Sequence, residues 1–91
     1  MRKWETVEVR SGMFFKSEMS VGDFEVYSDK NYIYYNRKHY VVVDIVYGDN
    51  DTAIYKAECV RHTGHRHIKF ETTFIVTSTA VGYSETLLIE I

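Results

Sequence analysis

The chain has 91 residues and a mass of 10.7 kDa, a size that suits a single domain over residues 1–91. Hydrophobic residues make up 45% of the sequence and charged residues 26%, which excludes a disordered chain, and no apolar run approaches the roughly 20 residues of a membrane helix. The formal net charge of −2 gives no basic excess for general binding to nucleic acid or to an anionic membrane.

Residue types that favour strands dominate the sequence. Val, Ile and Thr together number 26, whereas Ala and Leu together number five. β-branched side chains lose rotamer freedom in a helix but fit the pleated surface of a sheet. The sequence therefore predicts an all-β fold, with no proline to interrupt a strand. We expect a small antiparallel β-barrel or a two-sheet sandwich of about seven to eight strands, built mostly from sequential hairpins.

The first half of the chain reads as short strands separated by polar turns. Residues 5–10 alternate apolar and polar side chains, and Ser11 with Gly12 predicts a turn from which residues 13–18 run back. Later strands are expected at 24–28, 32–35 and 39–47, with turns at 20–23, 29–31 and 36–38.

Complementary charges predict the register of the hairpin that follows. A five-residue loop over residues 48–52 sets Asp44 opposite Lys56, where the charges attract. The same loop sets Val43 opposite Ala57 on the other face. A loop one residue shorter would mix apolar and polar residues on each face, so we expect the five-residue loop.

The next hairpin can be registered in the same way. A tight turn over residues 62–65 would place Glu58 opposite Lys69 and Lys56 opposite Glu71. Both pairs are complementary in charge, so we expect this register.

These registers assign one apolar face to the core, and a closing strand at residues 86–91 is expected to complete the fold. The expected core consists of Trp4, Val7, Val9, Phe14, Phe24, Val26, Ile33, Val41, Val43, Ile45, Ala57, Cys59, Ile68, Phe70, Phe74, Leu87 and Ile89.

The opposite face is too apolar for an ordinary solvent face. Tyr40 and Val42 lie on it in the predicted register, and an aromatic run at residues 32–35 precedes them. Either the sheet curls over these residues or they form a partner-binding surface. Because tyrosine is frequent at the hot spots of protein interfaces, we expect a partner protein to bind this face. The expected contact residues are Tyr32, Tyr34, Tyr35, Tyr40 and Val42.

The hairpin at residues 62–65 carries a cluster of basic side chains. Arg61 and Arg66 are expected to face each other at its tip, where they could hold an anion or a nucleic acid. The rest of the chain offers no basic stripe to extend this surface, so nucleic acid is not the expected partner.

Three histidines in the same hairpin raise the question of a metal site. In the predicted register His62 pairs directly with His65, and His67 lies diagonally across from His62, so three imidazoles could converge on one ion. Solvated turn histidines explain the same pattern without a metal, and we expect no cofactor.

Other chemistry is not indicated. No activated Ser or Cys has a recognisable catalytic signature, and the isolated glycines form no phosphate-binding loop, so we expect no enzymatic activity. Cys59 is expected to be a buried core residue.

The acidic loop at residues 49–51 fits turn chemistry rather than a calcium loop. A single cysteine and a polar N-terminal stretch indicate the cytoplasm.

These features favour a small non-catalytic protein-interaction module, an inhibitor or an adaptor, of a kind that would suit an accessory protein of a phage or mobile element. One alternative is a self-assembling component whose edge strands, for instance residues 86–91, pair with another copy. The other is a small β-barrel that binds nucleic acid through the basic hairpin tip from Arg61 to His67.

Overall fold

The computed structural model describes residues 3–20 and 22–91, so Val21 of the predicted turn at residues 20–23 lies outside the described residues. The β-branched and aromatic segments form seven strands, and one short 3-10 turn, Lys16–Glu18, follows the first of them. The strands are β1 (Trp4–Phe15), β2 (Phe24–Val26), β3 (Tyr32–Tyr35), β4 (Lys38–Tyr47), β5 (Ala53–Thr63), β6 (Arg66–Val76) and β7 (Ala80–Glu90).

All seven strands belong to one sheet in the order β1-β7-β6-β5-β4-β3-β2. Every neighbouring pair is antiparallel. The sheet curls into a half-barrel with a concave inner face and a convex outer face. The expected all-β antiparallel class is confirmed with seven strands. Neither closure into a barrel nor the second sheet of a sandwich is seen among the described residues.

The N-terminal strand is continuous, so the predicted turn at Ser11 and Gly12 is wrong. Both residues lie within β1 and pair with Ser84 and Tyr83 of β7. The backbone at Gly12 has no positive φ, so its glycine is not required by a turn. A Cβ at this position would lie 2.8 Å from Tyr83 Oη, so glycine is required here by the close approach of a ring.

The C-terminal strand lies inside the sheet. The alternative in which residues 86–91 form an edge strand available to another copy is wrong. The strand begins at Ala80 and pairs with β1 on one side and with β6 on the other. The edges of the sheet are β1 and β2.

The hairpin of β4 and β5 has the predicted five-residue loop, since Tyr47 pairs with Ala53. Asp44 faces Lys56 as expected. Val43, however, is a β-bulge, so that Val42 and not Val43 lies opposite Ala57. A bulge adds one residue to the strand. The residues that precede it in the chain therefore point to the opposite face from the one that strict alternation predicts.

The hairpin of β5 and β6 is displaced by two residues from its predicted register. Its two turn residues are Gly64 and His65, and Thr63 pairs with Arg66. Gly64 has φ of +59°, a value that the β-branched Thr63 would adopt only with strain, so glycine takes the first turn position.

The predicted charge pairs of this hairpin are therefore wrong. Glu58 faces Glu71, Val60 faces Lys69, and Lys56 faces Thr73. The side chain of Lys69 instead reaches Glu71 on its own strand, with 3.5 Å between Lys69 Nζ and Glu71 Oε1. A shift of two residues keeps every side chain on its face, so the core assignment of both strands is unaffected.

The core lies on the inner face. Ile33, Ala57, Cys59 and Phe74 are buried as expected, and the other predicted residues that pack against them are Phe14, Phe24, Val26, Ile45 and Phe70. The sequence did not reveal that Tyr40, Tyr55 and Val81 are also buried.

Four predicted core residues are exposed and therefore wrong, and four more are half-buried outside the core cluster, namely Trp4, Ile68, Leu87 and Ile89. Val41 and Val43 are 50% and 58% exposed because the bulge turns this part of β4 outward. Val7 and Val9 are 55% and 64% exposed on the edge strand β1.

Aromatic rings bring the two edges of the curled sheet toward each other. The ring centroid of Phe14 on β1 lies 5.6 Å from that of Tyr35 on β3 and 6.3 Å from that of Phe24 on β2. These contacts close one end of the concave face, although β1 and β2 are not hydrogen-bonded neighbours in the sheet.

Candidate functional site

Four rings form a cluster on the outer face where β2, β3 and β4 meet. Tyr32 pairs with Val41 and Tyr34 with His39 across β3 and β4, and the backbone N–H of Tyr27 donates to the carbonyl of Tyr32. We call Tyr27, Tyr32, Tyr34 and His39 the outer aromatic patch.

Contacts within the outer aromatic patch hold its rings in place. The ring centroids of Tyr34 and His39 lie 4.9 Å apart, and those of Tyr27 and Tyr32 lie 6.2 Å apart. A hydrogen bond of 3.2 Å joins Tyr27 Oη to His39 Nδ1. The rings are therefore oriented by one another before any partner arrives.

Apolar side chains extend the patch across the outer face. Val41 and Val60 are each 50% exposed, and Tyr32 is 44% exposed. The bulge at Val43 is the reason that Val41 faces outward beside the tyrosines. No other layer of the described chain covers this face, which thus combines aromatic and aliphatic side chains in contact with solvent.

The five expected partner-binding residues do not form one surface. Tyr32 and Tyr34 lie on the outer face, whereas Tyr35 and Tyr40 point to the inner face and pack in or against the core. Val42 also packs against the core, because the bulge exchanges its face with that of Val43. Of the five residues, only Tyr32 and Tyr34 lie on the outer face, and binding of a partner by them stays a prediction.

The inner face contains a buried polar contact that spans the sheet. Tyr40 Oη on β4 donates to Glu85 Oε2 on β7 at 2.8 Å, and Thr72 Oγ1 donates to the same oxygen at 3.5 Å. Burial, followed by the hydrogen bond to Glu85, raises the pKa of the Tyr40 phenol above its usual range. Tyr40 is thus a neutral donor that supports the curl of the sheet.

The basic hairpin tip differs from its prediction. Arg61 pairs with Ile68 and Arg66 with Thr63, so the two arginines do not face each other. Arg61 Nη2 donates to the carbonyl of Arg37 at 2.7 Å, which turns that guanidinium toward the loop between β3 and β4. A compact pair of arginines for one anion is therefore absent from this tip.

The three histidines do not converge. His62 pairs with His67 rather than with His65, their ring centroids lie 4.4 Å apart, and His65 occupies the turn. His67 Nδ1 lies 3.1 Å from Glu90 Oε1. Within residues 3–20 and 22–91, no group of three His, Cys, Asp or Glu side chains is arranged to hold a metal ion.

Sequence analysis did not identify Tyr27 or His39 as part of a site. Tyr27 lies just beyond the end of β2, and its contact with the patch depends on strand pairing that local alternation does not reveal. The sequence did indicate that Tyr32 and Tyr34 share a face, because they are two residues apart in one strand.

In comparisons with known proteins, the chain matches no family model, no curated protein and no solved structure. No helix in the described part of the chain has the length and apolar character needed to cross a membrane.

Proposed function

We propose that this chain is a non-catalytic protein-interaction module, an inhibitor or an adaptor, that binds a partner protein through the outer aromatic patch. The observation that carries this proposal is an outer face that no other layer of the described residues covers. Tyr32, Val41 and Val60 are exposed on it, beside the half-buried rings of Tyr27 and Tyr34. In an antiparallel sheet with one solvent face, that face is normally polar. An apolar surface at this place favours a contact with another protein.

Tyrosine is well suited to this role. Its ring buries a large area, its hydroxyl can bond at the wet rim of an interface, and only two side-chain torsions are fixed on binding. Contacts between Tyr27 and Tyr32 and between Tyr34 and His39 already restrict the rings, which reduces the entropy lost on association. The expected partner surface is apolar at its centre and carries hydrogen-bonding groups at its rim.

The test is quantitative capture of proteins from the lysate of the source cell by the tagged chain. The double variant Tyr32→Ala, Tyr34→Ala is compared with Tyr47→Ala, which removes a tyrosine that is 63% exposed outside the patch. Each hot-spot tyrosine contributes about 1–2 kcal/mol or more, so the double variant should retain a stoichiometric partner at least about tenfold more weakly. The Tyr47→Ala variant should capture it as the wild type does.

Two results would contradict the proposal. One is a stoichiometric partner that the folded double variant and the wild type retain equally, since binding would then use another surface. The other is that the wild type captures no stoichiometric protein. Far-ultraviolet circular dichroism and a urea unfolding curve establish that each variant is folded before capture.

A second candidate function, self-assembly through an edge strand, is favoured by the properties of β1. This strand has 12 residues and a free edge, and Val7, Val9, Met13 and Phe15 on it are between 49% and 64% exposed. A long apolar edge is a template for another strand. The same edge would be used if the sheet closed into the barrel expected from the sequence, because closure requires β1 to pair with β2.

Antiparallel pairing of two β1 strands has a register that sets opposite charges across from each other. With Val9 on the two-fold axis, Glu8 of each copy lies opposite Arg10 of the other. The exposed ion pair between Arg10 Nε and Glu8 Oε1 of one strand, 2.9 Å long, would then be replaced by ion pairs between the two copies. Val9→Lys places two positive charges on the axis. This variant should remain a monomer in sedimentation while the wild type dimerises, and partner capture through the outer aromatic patch should be unchanged.

A further inference from the structure

A small cavity opens on the inner face between β1, β4, β6 and β7. Its volume is about 90 Å³, which gives room for several water molecules or a very small organic molecule. The residues that line it combine four charged side chains with an apolar wall. They are Glu8, Arg10, Lys38, Phe70, Glu85 and Leu87.

Lys38 supplies a buried positive charge to this cavity. The residue is only 7% exposed, and its ammonium nitrogen lies 4.4 Å from the centroid of the Phe70 ring. Among the described residues it has no hydrogen bond or ion pair with an anionic group. Burial of an ammonium ion without an anion is unfavourable, and the ring compensates for only part of that cost. The site is therefore one that an anion would stabilise.

Glu85 supplies a buried negative charge to the same cavity. The residue is 8% exposed, and the hydroxyls of Tyr40 and Thr72 both donate to its Oε2 atom. Neither hydrogen bond uses Oε1, and no cation among the described residues lies within ion-pair distance of Glu85. This carboxylate can accept from a positively charged donor.

The two remaining charged groups form no ion pair with the buried ones, although Arg10 lies opposite Glu85 across β1 and β7. Arg10 Nε is paired with Glu8 Oε1 at 2.9 Å, and both of these side chains are largely exposed at the cavity rim. The cavity as a whole is neutral, but its buried ammonium and buried carboxylate are separated from each other. A ligand that carries only one charge would satisfy one of them and leave the other unpaired.

We propose that this cavity binds a small zwitterion of the α-amino acid class, with the ligand carboxylate at Lys38 and the ligand ammonium at Glu85. Glycine and alanine match both the paired charges and the small volume. Phe70 and Leu87 form the apolar wall against which the α-carbon of the ligand packs. This site is on the opposite face from the outer aromatic patch and does not depend on the proposed interaction function.

The test is a titration of the 15N-labelled chain with glycine, followed by the amide resonances of residues that line the cavity. Saturable shifts at Lys38, Phe70 and Glu85 are expected with a Kd on the order of 1–10 mM, as suits so small a ligand. Acetate and methylammonium each offer only one of the two charges. Both probes should bind at least about tenfold more weakly than glycine.

Charge-removing variants test the assignment of each end. Lys38→Met keeps the apolar stem and the packing on Phe70 but removes the ammonium group, and it should weaken glycine binding at least about tenfold. Lys56→Met, at an exposed lysine of the outer face, is the matched control and should bind normally. Glu85→Gln removes the negative charge but keeps an acceptor for Tyr40, and it should also weaken glycine binding at least about tenfold. It replaces the Lys38 variant in the test if that variant does not fold.

Three results would overturn the proposal. The first is the absence of saturable shifts in the wild type at glycine concentrations well above the expected Kd. The second is acetate or methylammonium binding as tightly as glycine, because the site would then recognise a single charge. The third is unchanged glycine affinity in folded Lys38→Met or Glu85→Gln.

Discussion

Gly12 is the position at which a single methyl group should have the clearest effect on stability. In a strand interior, replacing glycine by alanine usually stabilises by roughly 0.5–1 kcal/mol. At Gly12, however, the new Cβ would lie 2.8 Å from Tyr83 Oη and 2.9 Å from Tyr83 Cε1. The ring cannot move freely, because its centroid lies 5.5 Å from that of Tyr35 and 6.4 Å from that of Phe14. Overpacking of this kind costs about 1–3 kcal/mol, so Gly12→Ala should destabilise by about 1–2 kcal/mol.

Urea unfolding followed by circular dichroism measures this change. With a slope of about 1–1.5 kcal/mol per molar urea, the midpoint of Gly12→Ala should fall by about 1 M. Gly82→Ala is the matched control, because the nearest atom to its Cβ would be 3.9 Å away, and its midpoint should be unchanged or slightly higher. Adding Tyr83→Leu to Gly12→Ala should recover part of the loss through coupling between neighbours. Equal midpoints for Gly12→Ala and wild type would refute the argument that Tyr83 excludes a side chain.

Three further changes test other parts of the fold. Burial raises the pKa of the Tyr35 phenol to about 12, so its stabilising contribution is complete below the unfolded value of about 10 and is lost as pH rises toward 12. The urea midpoint should therefore fall over that range, and should fall less in Tyr35→Phe. Tyr40→Phe removes a donor from the buried carboxylate of Glu85 and should cost about 1–3 kcal/mol in urea unfolding. Val43→Thr, at the exposed bulge, should change the free energy of unfolding by less than about 0.5 kcal/mol, whereas Val42→Thr should lower it by more than about 1 kcal/mol. Equal losses in the two variants would show that Val42 and Val43 are not on different faces.

The all-β class and the strands at 32–35 and 39–47 were predictable because they depend on local composition and on a period of two. The bulge at Val43 was not predictable in this way. Its one-residue insertion leaves the pattern of the β4 segment apolar on both faces, so the sequence offers no sign of the point where the faces exchange. Tyr40 and Val42 were assigned to the outer face for this reason alone.

The hairpin of β5 and β6 shows how charge pairs can mislead. Exposed ion pairs contribute little, about 0–1 kcal/mol, whereas a positive φ at a β-branched residue carries a larger cost. The turn therefore places Gly64 where φ is positive and accepts Glu58 opposite Glu71. The conformational preference of Gly64 for the first turn position therefore predicts the register better than the charge pairs do.

The candidate sites depend on contacts between distant parts of the chain. Tyr32 and Tyr34 could be recognised because they lie within one strand, but their neighbour Tyr27 is brought in by the pairing of β2 with β3. The cavity on the inner face is harder to predict from the sequence, since its lining combines Lys38 of β4 with Glu85 of β7, across two intervening strands. Only the curl of the sheet brings such residues together.

Site-specific photocrosslinking in the source cell can show whether the outer aromatic patch contacts a partner protein. The photoreactive residue p-benzoyl-phenylalanine replaces Tyr34 in one variant and Tyr47 in the other, so that both probes occupy former tyrosine positions. We expect one discrete crosslinked protein from position 34 and none from position 47. The same crosslinks from both positions, or a discrete product from position 47 alone, would contradict it.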